Sequence, residues 1–182
     1  LKDFDPAKSL KLPILSPDFN TWLADAPGIE VNDKSIQVKA REIVGKESNA
    51  YKAMIRLRDW VINNVKEPDP EAEHVAIESA IDVLTSKIGA DSEMERLYTA
   101  LARVEGLPTR YVAGIRYTRG SFRFWTWVES YVGEWIRVDF SQDTGITNAG
   151  YIKLADAPDD DIYGIWWVAP HLTAEIVSHK LR

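Results

Sequence analysis

Between Glu105 and Thr109 the apolar pattern of this 182-residue chain changes its period. Upstream, Leu97, Tyr98, Leu101 and Val104 recur at helical spacing over residues 91–105. Gly106 then suits the helix C-terminus, and Pro108 prevents its continuation. Downstream, residues 109–117, 122–131 and 135–140 alternate with period two, and Gly133-Glu134 supplies a tight turn. All the other long helical patterns precede this switch. Helices first and strands afterwards predict an α+β fold, with N-terminal helices packed on an antiparallel β-sheet.

The upstream patterns are well separated. A short helix is expected over 36–44. Tyr51, Met54, Ile55, Leu57, Trp60, Val61 and Val65 predict a longer one over 49–65, ended by Pro68-Asp69-Pro70. Val75, Ile77, Ala80, Ile81 and Leu84 predict a third over 71–84. Gly89 turns the chain into the fourth, where Asp91 or Ser92 is placed to cap and Ser92-Glu93-Met94-Glu95 fits a capping box. Residues 1–35 read as an irregular arm broken by Pro6, Pro13, Pro17, Pro27 and Gly28. Within it Ser16-Pro17-Asp18 starts a short helix, and Phe19, Trp22 and Leu23 dock the arm on a single domain formed by residues 36–182. Residues 151–154, 162–168 and 172–178 are further strand candidates, and the acid run 156–161 reads as a solvated loop.

Composition removes several functions. A net charge of -6 offers no excess of cations to replace the counterions of a nucleic acid. Arg110, Arg116, Arg119 and Arg123 are read as solvated strand and loop faces. The absence of cysteine excludes disulfides, thiolate metal sites and a cysteine nucleophile. No run of 18 apolar residues offers a membrane span. The start at Leu1 is what a mature fragment or an excised domain would show. Five of the seven tryptophans, Trp125, Trp127, Trp135, Trp166 and Trp167, lie in the C-terminal third, as a packed core or as a ligand platform.

Several spaced motifs, closest over residues 87–139, resemble the transglutaminase-like superfamily, a branch of the papain-like cysteine-protease fold. Gly89-Ala90-Asp91 stands at the family's Gly-x-Cys turn, and Ala100-Leu101-Ala102-Arg103 at its small-Leu-x-Arg helix run. Gly106-Leu107-Pro108-Thr109-Arg110 matches the helix exit. Trp125-Thr126-Trp127-Val128-Glu129 matches the His-x-Trp-x-Glu strand, and Trp135 with Asp139 matches the Trp-x-x-x-Asp strand. The resemblance implies a Cys-His-Asp triad. Here Asp91 falls at the cysteine position and Trp125 at the histidine position, and only Asp139 is kept. A helix N-terminus that would activate a thiolate makes a carboxylate a weaker base, and an indole has no titratable proton and cannot serve as acid or base. The expected result is a catalytically inactive domain with no cofactor, serving as a structural or a protein-, peptide- or glycan-binding module. The resemblance also implies an extracytoplasmic or cell-envelope setting.

Ligand-binding candidates are Trp125, Trp166, Trp167, Glu129 and Ser92. Trp127 and Trp135 read as core, and Arg103 and Arg110 as structural partners of carboxylates or carbonyls. The alternative is a hydrolase whose acid and base are Asp91 and Asp139. A hard cation held by the same two aspartates, or by residues 156–161, is a further alternative. A Ser92 nucleophile would need His74, His171 or His179 as its base, and none of these stands at a triad position.

Overall fold

The computed structural model describes residues 4–69, 77–118, 120–140, 150–159 and 162. Four helices precede four strands. Helix α1 spans Lys34–Val44 and begins two residues earlier than the apolar pattern suggests, because the Asp33 carboxylate accepts the N–H groups of Ser35 and Ile36. Helix α2, Ala50–Asn64, is capped in the same way by Asn49, which accepts from Lys52 N–H at 3.0 Å. Helix α3 is only Ala80–Ser86, so the predicted start at residue 71 is corrected for Ile77 and Glu78, while residues 71–76 lie outside the described residues. The reason is local. Ser79 Oγ accepts the Asp82 N–H and the Asp82 carboxylate accepts the Ser79 N–H, so the helix starts there.

Helix α4 spans Asp91–Val104. Its cap also differs from expectation. Ala90 holds the N-cap position, Asp91 is the first helical residue, and the Glu93 carboxylate reaches back to the Ala90 N–H at 2.9 Å. The turn before it needs Gly89, since a Cβ there would lie 2.6 Å from the Glu93 Cβ.

Strands β1 (Thr109–Thr118), β2 (Ser121–Tyr131), β3 (Trp135–Val138) and β4 (Tyr151–Ala157) form one antiparallel sheet in the order β3-β2-β1-β4. Strand β3 stops at Val138, so Asp139 sits just past its end. Strand β4 runs beyond residue 154 and takes Asp156 out of the expected loop, because Arg110 (3.1 Å) and Lys153 both pair with its carboxylate. Of the strand expected at 162–168 only Ile162 is described, and it is buried. The strand expected at 172–178 lies outside the described residues.

The core lies between the helices and one face of the sheet. Ile36, Met54, Leu57, Leu97 and Leu101 meet Tyr111, Ala113, Val128 and Ile136 there, all essentially excluded from solvent. Each of the Ile, Leu, Met and Val side chains contributes about 1.5–3 kcal/mol of transfer free energy. The buried Tyr98 hydroxyl is satisfied by Ser130 Oγ at 2.7 Å, which in turn bonds Thr109 Oγ1 at 2.8 Å. This chain of hydroxyls ties α4 to β1 and β2.

The arm joins the body through its backbone. Leu10, Leu12 and Ile14 donate N–H bonds to the carbonyls of Val132, Ser48 and Gly106. Ile29 is fully buried, and the Ala80 N–H returns a bond to the Gly28 carbonyl. Gly106 is required twice over: its φ is +71°, and a Cβ on it would lie 2.4 Å from the Pro13 Cβ.

Candidate functional site

The sheet register gathers the charged and aromatic residues of four strands on the face opposite the core. Directly paired residues share a face. Arg110 pairs with Glu129 and Glu129 with Arg137, Val112 pairs with Trp127, Gly114 with Trp125, and Arg116 with Tyr151. Asp139, two residues beyond Arg137, follows on the same side.

These residues lock one another. Arg110 donates to Glu129 at 2.8 and 3.1 Å and stacks 3.8 Å from the Trp135 ring centre. The buried Trp127 indole donates to the same Glu129 at 3.2 Å. Arg137 lies 3.7 Å from the Tyr151 ring centre and 3.5 Å from the Asp139 carboxylate. Arg116, only 7% exposed, lies 4.8 Å from the Trp125 ring centre and 5.5 Å from that of Tyr151. Two guanidiniums therefore alternate with two rings beside the N-terminus of α4. Such stacking contributes about 0.5–2 kcal/mol per pair, with the larger values in desolvated sites.

Two spaces open from this arrangement. An outer cleft of about 550 Å³ is lined by Glu67, Pro68, Ala90, Asp91, Ser92, Glu95, Phe124, Trp125 and Thr126. An inner cavity of about 20 Å³ lies among Asp91, Glu95, Arg116, Trp125, Arg137 and Asp139, with Tyr151 on its wall. Asp91, Glu95 and Trp125 line both spaces. Burial, and then the negative charges of Asp139 and Glu67, push the Asp91 carboxyl above its ordinary value, although Arg116 opposes the shift. The helix N-terminus was expected to do the reverse. Burial first, and the neighbouring carboxylates second, set the direction instead.

Asp91, Trp125 and Asp139 are thus brought together from three elements. Trp125 lines the cleft at 37% exposure rather than being buried as a plug. Ser92 is at the cleft, with its hydroxyl donating to Glu93 at 3.0 Å. Glu129 is not at the cleft, because Arg110 and Trp127 hold its carboxylate elsewhere on the sheet face. Trp166, Trp167, His74, His171 and His179 lie outside the described residues. Arg103 is buried and donates to the carbonyls of Thr109, Ala24 and Pro158, and Arg110 pairs with carboxylates, as expected of both. Arg116 and Arg110 are not solvated faces. Among the described residues no group of three or more Asp, Glu or His side chains gathers to hold a metal ion.

The sequence profile of the transglutaminase-like superfamily matches residues 37–140, more than half of the chain. The chain belongs to the transglutaminase-like superfamily. The profile runs from α1 to the residue after Asp139 and so contains every element that builds the inner cavity except β4. Among solved structures, this transglutaminase-like chain is similar to a candidate cysteine protease from Cytophaga hutchinsonii, with a TM-score of 0.65 and 26% identity over 80% of this chain and 49% of that one. It shares its fold with the periplasmic domain of TgpA from Pseudomonas aeruginosa, with a TM-score of 0.50 and 14% identity over 76% of this chain and 48% of that one. An uncharacterized protein of Haemophilus influenzae is 26% identical over 133 residues, which are 67% of this chain and 35% of that protein. The transglutaminase-like domain therefore spans about a third of that relative and about half of each of the two solved chains.

Proposed function

We propose that this transglutaminase-like domain does not carry out thiolate acyl transfer and instead binds a peptide segment through a basic side chain. One observation carries the reading. Trp125 and Asp91, at the positions where the family resemblance puts the histidine and the cysteine, are two walls of one open cleft. A carboxylate and an indole cannot form the thiolate–imidazole pair that the reaction needs. Asp139, the third position, pairs with Arg137 at 3.5 Å.

The cleft chemistry supports a cationic ligand. Glu67, Asp91 and Glu95 supply negative charge, Trp125 and Phe124 supply rings, and among the described residues that line the cleft there is no lysine or arginine. A lysine or arginine side chain would relieve the mutual repulsion of the carboxylates and lie over the indole. The test is calorimetric titration with a lysine-rich peptide and with a glutamate-rich peptide of the same length. The lysine-rich peptide is expected to bind, and Trp125→Ala to weaken it about tenfold, or about 1.4 kcal/mol. Equal binding of the glutamate-rich peptide, or binding of neutral glycans alone, would overturn the reading.

The raised Asp91 carboxyl beside Asp139 favours the rival, an acid–base hydrolase. Against it, the space the two carboxylates share is about 20 Å³, far too small for a sugar ring. An extracytoplasmic setting belongs to the same proposal, and recovery of the full-length protein in the cytosolic fraction of fractionated cells would contradict it.

A further inference from the structure

The inner cavity has walls unlike those of an apolar packing void. Three carboxylates, Asp91, Glu95 and Asp139, face two guanidiniums, Arg116 and Arg137, across about 20 Å³. The Arg137 side chain is 9% exposed, and its Nε is buried with no hydrogen-bond partner among the described residues. Its flat face is taken by the Tyr151 ring and one of its two terminal nitrogens by Asp139. The Nε–H is a donor in need of an acceptor, and a buried donor left unmet is costly.

The walls decide what can meet it. A metal cation would stand against two guanidiniums. A halide or other small anion would stand against three carboxylates. A neutral group that both accepts and donates suits all five. The cavity also exceeds the 10–15 Å³ or so that one water needs, and it offers more than the two to four polar partners that hold one.

We propose that the inner cavity is a binding site for one water molecule, which accepts a hydrogen bond from Arg137 Nε and donates to the carboxylates of Asp91 and Asp139. Such a water separates two like charges by hydrogen bonds and links the open cleft to the buried Arg137–Asp139 pair. It occupies the centre of the place where the resemblance puts the triad. Asp91, Glu95 and Trp125 wall both spaces, so exchange with solvent passes between them. The proposal does not depend on what the outer cleft binds.

The test is a crystal structure of the free protein at about 1.5 Å resolution, with parallel soaks in rubidium and bromide salts. One density peak is expected at about 2.7–3.2 Å from Arg137 Nε, the ordinary hydrogen-bond range, without anomalous signal from either ion. A cavity without density, an anomalous peak inside it, or a protein atom bonded to Arg137 Nε would overturn the assignment. In Arg137→Lys, which keeps a cation beside Asp139 but removes the Nε donor, the peak is expected to disappear. Its persistence at the same place would also overturn the assignment. If that variant does not fold, the wild-type map alone decides.

Discussion

At the scale of single residues, Asp91 makes the sharpest electrostatic prediction. Its carboxyl is raised above the ordinary 3.8, by burial first and then by Asp139 and Glu67. The folded state therefore holds the Asp91 proton more tightly than the unfolded chain does. The stabilisation this gives is complete below the ordinary value and is lost as pH rises through the raised one. Asp91→Asn should accordingly raise the melting temperature at pH 7 and leave it unchanged near pH 3, as followed by circular dichroism across pH. Arg103 shows a different dependence. Burial pulls its guanidinium down to about 10, yet it still holds three carbonyls from the arm, β1 and the segment after β4. Arg103→Met leaves those carbonyls without their donor and should cost roughly 3 kcal/mol in urea unfolding. Asp91, Trp125 and Asp139 were legible in the sequence because they fall inside spaced motifs. Arg116 and Arg137 were not. Strand alternation says which side chains share a face but not what covers it. The cover here is Tyr151, 14 residues beyond Arg137 in a strand whose pairing no local pattern announces.

Among the elements, the ends of the helices carry the information that apolar spacing lacks. The stretch around Val75 and Ile77 extends the helical pattern of α3, but the reciprocal bonds of Ser79 and Asp82 start the helix at Ala80. Ser79→Ala should therefore destabilise the protein by about 1 kcal/mol in chemical denaturation. The same reasoning applies to α4. Ser92 and Asp91 are the residue types that usually cap, yet the cap position belongs to Ala90 because Glu93 reaches back to its N–H. That one-residue difference turns Asp91 from a cap into a side chain on the cleft wall. The strands were easier to read, since β1 and β2 run for 10 and 11 residues rich in aromatic and β-branched side chains.

For the whole molecule, the order of elements and the helix-to-strand switch at Gly106 gave the α+β architecture directly. The arm is bound into the core rather than laid on it. Ile29 is fully buried, and Ile29→Ala should cost roughly 3 kcal/mol, measured as a lowered urea midpoint with an unchanged slope. One small cavity brings together a carboxylate at the N-terminus of α4, an indole on β2, and an arginine paired with Asp139. The central claim is that these groups support binding and not acyl transfer. Amide hydrolysis and amine incorporation by the purified protein, compared with Asp91→Ala, test it most directly. The account predicts that neither protein turns over substrate faster than buffer alone, and wild-type turnover abolished by Asp91→Ala would contradict it.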